Sequence, residues 1–197
     1  KGLAIVYANL VGGQDELLFD GASMCFDSCG TLKTRAAVFA EDVLSISIST
    51  SSLQQLAITT NRPLSPWPDK DAILYQALVT ATKDYVHKSG HSKVLIGVSG
   101  GIDSALTLTI AVDALGSEKV TAVCMPSRYT SEMSIVDAEL LIKALKVQSY
   151  TISIEPSFTA MLETLAPIFA NFTPNIAEEN VQARLRAMIL LGISNKT

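Results

Sequence analysis

The spacing of apolar residues changes along this chain, and each change predicts a different element. Residues 3–11, Leu-Ala-Ile-Val-Tyr-Ala-Asn-Leu-Val, form a nearly unbroken apolar run with the composition of a buried strand. No cap or polar lead precedes it, as expected of a chain that starts inside a domain. Gly12-Gly13 is expected to turn this strand. Residues 18–21 and 23–26 predict a second strand, Asp27-Ser28-Cys29-Gly30 a turn, and residues 35–39 a third strand. A β-rich patch of roughly forty residues is too small to hold a core by itself. Residues 41–61 alternate and then become polar, which suggests an edge strand. The following Arg62-Pro63-Leu64-Ser65-Pro66-Trp67-Pro68 carries three prolines and reads as an extended connector, with Trp67 pinning it against a domain. The expected organisation is therefore one domain over residues 1–45, a linker over 46–69 and a second domain over 70–197.

Beyond the linker the period becomes helical at Ile73, Leu74, Ala77, Leu78, Ala81 and Tyr85, and Gly90 stops the helix. Strand and helix then alternate. Strands are expected at 94–98, 120–125 and 148–154, and helices at 104–115, 134–145 (capped by Ser134 and Asp137), 157–170 and 177–194. Repeated strand–helix units predict an α/β fold with a parallel, right-handed, doubly wound sheet. Composition agrees: 48% of residues are hydrophobic and mean hydropathy is +0.33, which suits strands buried on both faces.

Charge and cysteine usage narrow the classes of partner. The longest charge-free stretch, residues 43–61, is rich in Ser, Thr, Gln and Asn and would strand polar groups in a bilayer, so no membrane association is expected. Net charge is -4 and the Lys and Arg residues are scattered, so a nucleic-acid partner is not expected either. Three cysteines, Cys25, Cys29 and Cys124, with no secretory leader, point to free thiols in a cytoplasmic protein. The sequon at Asn171 is then incidental, and His87 and His91, separated by Gly90, are surface residues rather than metal ligands.

The chemistry lies after the strand at 94–98. Gly97 and Val98 lead into Ser99-Gly100-Gly101-Ile102-Asp103-Ser104 and then an apolar helix. A strand, a glycine turn and a helix N-terminus bring unpaired N–H groups and the positive end of the helix dipole to one point, which suits phosphate. Gly100 and Gly101 allow close approach of an anion, and the Ser99 and Ser104 hydroxyls can donate to it. Asp103 would repel bare phosphate, so it is expected to hold Mg²⁺. The string is neither a Walker A loop nor a dinucleotide fingerprint.

It resembles the pyrophosphate loop of the ATP-pyrophosphatase class, whose members transfer AMP. That class implies an adenine nucleotide alpha hydrolase-like, Rossmann-like fold. Cys124-Met125-Pro126-Ser127-Arg128-Tyr129-Thr130-Ser131 and Glu178-Glu179-Asn180-Val181-Gln182-Ala183-Arg184-Leu185-Arg186 are similar to segments of the glutamine-dependent NAD⁺ synthetases. Residues 9–21 are similar to part of their nitrilase-like glutaminase domain, an α/β sandwich. The resemblance implies ATP contacts at Gly97, Val98, Ser99, Gly100, Gly101, Ile102, Asp103, Ser104, Met125 and Arg128, with Met125 near the base and Arg128 near the phosphates. It puts Asp103 on Mg²⁺, and Asn180 and Arg184, one helical turn apart, on deamido-NAD⁺. Val181, Leu185 and Met188 are expected to form a separate apolar stripe.

The implied reaction is ATP-dependent amidation of deamido-NAD⁺ through an adenylate, with ammonia drawn from glutamine, in a homo-oligomer. The glutaminase Glu, Lys and Cys are expected before Lys1, and a second magnesium-binding acid after Thr197. Cys25 and Cys29 are expected to be buried structural thiols. The alternatives are a GMP or asparagine synthetase of the same loop class, or a nucleotide-binding module without activity.

Overall fold

In a computed structural model that describes residues 2–52, 55–64 and 66–197, the chain falls into two units that meet between Ser89 and Gly90. In the first unit, β1 (Ile5–Tyr7), β4 (Met24–Phe26) and β5 (Leu32–Arg35) form an antiparallel sheet with β4 in the middle. Cys25 pairs with Thr34 across β4 and β5, and both are buried. Cys29 stands in the exposed turn before β5, so the expectation of a buried thiol holds for Cys25 and fails for Cys29. The third strand ends near Arg35, where it had been expected to begin.

Gly12-Gly13 does not turn the first strand. Both lie inside β2 (Val11–Gln14), which pairs with β3 (Leu17–Asp20), and the chain reverses at Asp15-Glu16 with Asp15 in the left-handed region at φ 51°. The glycines are needed instead for close packing against α1 (Lys70–Lys88), a 19-residue helix capped by the Asp69 carboxylate. In the segment expected as an edge strand within a linker, β6 (Ser47–Ser52) pairs antiparallel with β7 (Gln55–Thr59), and Ile58 is buried. Trp67 does pin its segment: the Arg35 guanidinium lies 4.3 Å from the Trp67 ring centroid.

The second unit holds the parallel sheet, in the order β10 (Gln148–Thr151), β9 (Val120–Cys124), β8 (Val94–Val98). The central β9 buries Val120, Ala122 and Val123, the mark of a strand covered on both faces. Alternation assigns the faces. Leu95 and Val123 pack with Met125, Ile154 and, from α5 (Ile176–Ser194), Ile189, Leu190 and Ile193. The other face is set against α2 (Ile102–Leu115), which buries Leu108, Ile110, Ala111, Ala114 and Leu115. The connecting α3 (Glu132–Leu145) is capped by Ser131, not Ser134: the Ser131 hydroxyl accepts from the Ser134 N–H at 3.1 Å. A fourth helix, α4 (Glu155–Phe169), precedes α5 and carries the fully buried Phe158. No helix among the described residues is long and apolar enough to cross a membrane.

Candidate functional site

Val98 ends β8 at the carboxyl edge of the sheet, and only Ser99, Gly100 and Gly101 separate it from α2. Gly101 is the N-cap of α2 and supplies no capping side chain; the two serines stabilise the turn instead. The Ser104 hydroxyl accepts from the Ser99 N–H at 3.2 Å and donates to the Gly101 carbonyl at 2.9 Å, while the Ser99 hydroxyl accepts from the Gly101 N–H at 3.2 Å. The hydroxyls lie 3.1 Å apart. The side chains expected to face an anion thus first hold the loop closed, leaving the backbone of the first turn of α2 as its main donor surface.

Gly100 is held by two constraints. Its φ is +82°, and a Cβ there would lie 2.1 Å from the Ser134 carbonyl oxygen in α3. Gly101 is under neither constraint, since its φ is -83° and a Cβ would meet only the Ser99 Oγ, at 3.4 Å. Ile102 and Asp103 are exposed on the first turn of α2. Among the described residues no three His, Cys, Asp or Glu side chains gather at one point, so Asp103 offers one oxygen ligand of the several a Mg²⁺ takes.

Beside the loop lies a cavity of about 470 Å³, and Gly97, Val98, Ser99 and Met125 are among its walls. Gly100, Gly101, Ile102, Asp103, Ser104, Arg128, Asn180 and Arg184 are not. Its polar walls include residues that sequence reasoning missed: Thr130, Ser134, Glu139, Thr151 and Arg186. Burial, and to a lesser extent the nearby Glu139 charge, pushes the Cys124 thiol up, which keeps it protonated. A second cavity of about 490 Å³ shares Thr130 and Arg186 with the first and continues to Ser127, Gln182 and the capping box that opens α5.

Arg128 faces neither cavity. Its backbone N–H donates to Glu155 Oε2 at 2.9 Å, its Nε to Glu155 Oε1 at 2.5 Å and its Nη2 to Thr159 at 3.0 Å, and the guanidinium lies over the Phe158 ring. Hydrogen bonds from the Arg128 side chain and backbone hold the Glu155 carboxyl below its ordinary range. A depressed carboxyl stabilises the fold above the unfolded value, about 4.3 for Glu, and loses that contribution as pH falls through the folded value. The melting-temperature advantage of the wild type over Glu155→Gln is therefore expected at pH 7 and should shrink as the pH is taken below the unfolded value; paired thermal melts check it, and an unchanged gap would remove the ion pair as its cause.

On α5, Asn180 and Arg184 are exposed, and the Arg184 Nη1 donates to the Asn180 carbonyl at 3.1 Å. The side facing the cavities carries Gln182, which accepts from the Ser127 hydroxyl at 2.9 Å, and Arg186, whose Nε donates to the Met125 carbonyl at 3.2 Å. The block at 178–186 contains two i,i+4 pairs that join an amide side chain to an arginine, 180/184 and 182/186, and spacing alone does not say which faces inward. Ile189, Leu190 and Ile193 set the phase by packing on the sheet. The same rotation leaves Met188 65% exposed, so the expected stripe with Val181 and Leu185 does not form.

A parallel sheet with a glycine loop and a cavity at its carboxyl edge defines a Rossmann-like α/β domain. A family model described as NAD synthase matches residues 74–197, and the chain belongs to that family. It is 46% identical over 203 residues to the glutamine-dependent NAD(+) synthetase of Xanthomonas campestris, with 100% of this chain and 35% of the relative aligned. With the Thermotoga maritima enzyme of the same name it shares 38% identity over 98% of this chain and 38% of the relative. A solved Acinetobacter baumannii glutamine-dependent NAD⁺ synthetase in complex with adenosine diphosphate superposes with a TM-score of 0.90 at 42% identity, over 99% of this chain and 36% of that one. The chain thus spans about a third of the length of these relatives.

Proposed function

We propose that this chain is the central part of a glutamine-dependent NAD⁺ synthetase of the cytoplasm, a homo-oligomer that amidates deamido-NAD⁺ with ATP as the activating substrate. The observation that carries the reading is the loop Ser99–Ser104, closed by its own serines, pressed by Gly100 against α3 and opening beside the 470 Å³ cavity.

In this reading the adenosine of ATP takes the cavity, its base against Met125, Gly97 and Val98, and the terminal phosphates lie over the backbone of Gly100, Gly101, Ile102 and Asp103 with Ser99 and Ser104 beneath. Asp103 fits a Mg²⁺ ligand, being exposed on the loop side of α2, and a bound cation would neutralise the departing pyrophosphate. Arg128 reaches phosphate only by leaving Glu155. A loop that grips the terminal phosphates leaves the α phosphorus open. The nicotinate carboxylate oxygen attacks it, the bond from α phosphorus to the bridging oxygen breaks, and pyrophosphate leaves. Ammonia then attacks the acyl carbon of the adenylate, AMP departs with the carbon–oxygen bond pair, and the nitrogen loses a proton. The amide of NAD⁺ results. The full-length protein supplied with deamido-NAD⁺, ATP, Mg²⁺ and ammonium or glutamine should release AMP, pyrophosphate and NAD⁺ in equal amounts. Formation of ADP and phosphate instead would overturn the adenylation step.

Asn180 and Arg184 are proposed to hold deamido-NAD⁺ from the exposed face of α5. Alanine at either is expected to weaken deamido-NAD⁺ by about tenfold and ATP by less than about twofold, the loss of one hydrogen bond to a charged group. Arg186→Ala, by contrast, is expected to weaken both, because Arg186 borders both cavities. Calorimetric titration with each ligand separates the cases, and an equal loss of both ligands in Asn180→Ala would sink its assignment to deamido-NAD⁺.

A further inference from the structure

Helix α1 belongs to two parts of the protein at once. The family match begins at residue 74, inside α1, yet α1 packs on β2 in the first unit. The contact is specific. Gly13 pairs with Leu18 of β3, and both of its own backbone groups go to α1: its N–H donates to Asp84 Oδ2 at 2.7 Å, and its carbonyl accepts from the Lys88 ammonium. Lys88 Nζ also lies 3.7 Å from Asp84 Oδ2, so three groups close a ring around one residue of β2.

The two glycines of β2 are explained by this seat. A Cβ on Gly12, whose φ is +109°, would fall 2.3 Å from the Asp84 carboxylate oxygen. One on Gly13 would lie 3.4 Å from Asp84 Cβ and 3.8 Å from Ala81 Cα, so helix and strand backbones meet with almost nothing between them. An unpaired strand edge normally needs only a charge or a covering loop. Here it receives an acceptor and a donor four residues apart on one helix face, matched to one peptide unit on each side. The clamp sits in the last turns of α1, and β8, which leads into the Ser99–Ser104 loop, begins six residues after Lys88.

We propose that Asp84 is a positioning residue whose seat on Gly12 and Gly13 fixes α1 to the β2–β3 hairpin, so that use of glutamine in the first part of the protein stays coupled to amide formation in the second. The proposal rests on the reading above that glutamine supplies the nitrogen. Asp84→Ala removes the acceptor, and Gly12→Ala pushes the carboxylate out from the strand side, so two changes on opposite elements should have one effect. Asp84→Asn keeps an oxygen acceptor for the Gly13 N–H and is expected to behave like the wild type.

The test uses the full-length protein and measures NAD⁺ formed from ammonium, NAD⁺ formed from glutamine, and glutamate released per NAD⁺. In Asp84→Ala and Gly12→Ala, synthesis from glutamine is expected to fall about tenfold, within the range of measured couplings between sites. Synthesis from ammonium should stay within about twofold, and glutamate released per NAD⁺ should rise. An equal fall with both donors, or an unchanged glutamate ratio, would overturn the coupling. Wild type that makes no NAD⁺ from either donor would sink the reading of function instead. In that case amide exchange decides the clamp: Asp84→Ala should expose the Gly13 amide, and unchanged protection would overturn the seat itself.

Discussion

Gly100→Ala is expected to lose nucleotide binding and part of the fold together. The added methyl would collide with the Ser134 carbonyl at 2.1 Å, and the backbone would have to keep φ +82° with a Cβ present. The steric and dihedral costs together are on the order of 3 kcal/mol, a fall of roughly 8 °C in melting temperature for a domain of this size. Relief requires the loop to leave α3, which would scatter the N–H groups proposed to face the phosphates. Gly101→Val is the contrasting variant. With φ -83° and open space around its Cβ, it should fold normally, yet a branched side chain over the loop should abolish ATP binding. Differential scanning calorimetry and ATP titration on the two variants read the two effects apart. A Gly100→Ala protein with wild-type melting and wild-type ATP affinity would mean that the contact between loop and α3 is not what shapes the site.

Asp103→Asn is expected to leave the fold alone and remove the reaction. The carboxylate is exposed in the first turn of α2, and surface changes away from special features move stability by less than about 0.5 kcal/mol. Rate is a different matter. Losing one pre-placed electrostatic contact to a developing charge costs roughly a hundred- to a thousandfold, and the amide is isosteric, so positioning is not disturbed. Pyrophosphate release in the presence of saturating Mg²⁺ should fall by that factor while the melting curve overlays the wild type. Wild-type turnover would end the case for Asp103 as a metal ligand.

Much of this molecule was legible from residue spacing because the deciding signals are local. β8 was readable from five consecutive residues that are apolar or small, α1 from its helical apolar spacing and Gly90, and the loop from a six-residue string in which Gly100 meets a backbone demand that only glycine meets cheaply. The parallel sheet followed from alternating elements, since each strand–helix unit must return to the same edge. What local spacing does not carry is phase and partner. The rotation of α5 that turns Gln182 and Arg186 inward and Asn180 and Arg184 outward is set by Ile189, Leu190 and Ile193 meeting the sheet. Arg128, expected to contact phosphate, is held in an ion pair because Glu155, 27 residues later, is brought beside it at the start of α4.

Gly12 and Gly13 show the limit most clearly. Two adjacent glycines look like a turn when only the neighbours in sequence are considered, and the helix that requires their missing side chains lies about seventy residues away. The sequence by itself determined the strands and helices of the second unit, the loop and the class of fold, because those depend on torsional preference and short-range periodicity. Tertiary structure alone decided which side chains line the cavities and which glycines serve packing, because those depend on contacts between residues far apart in the chain.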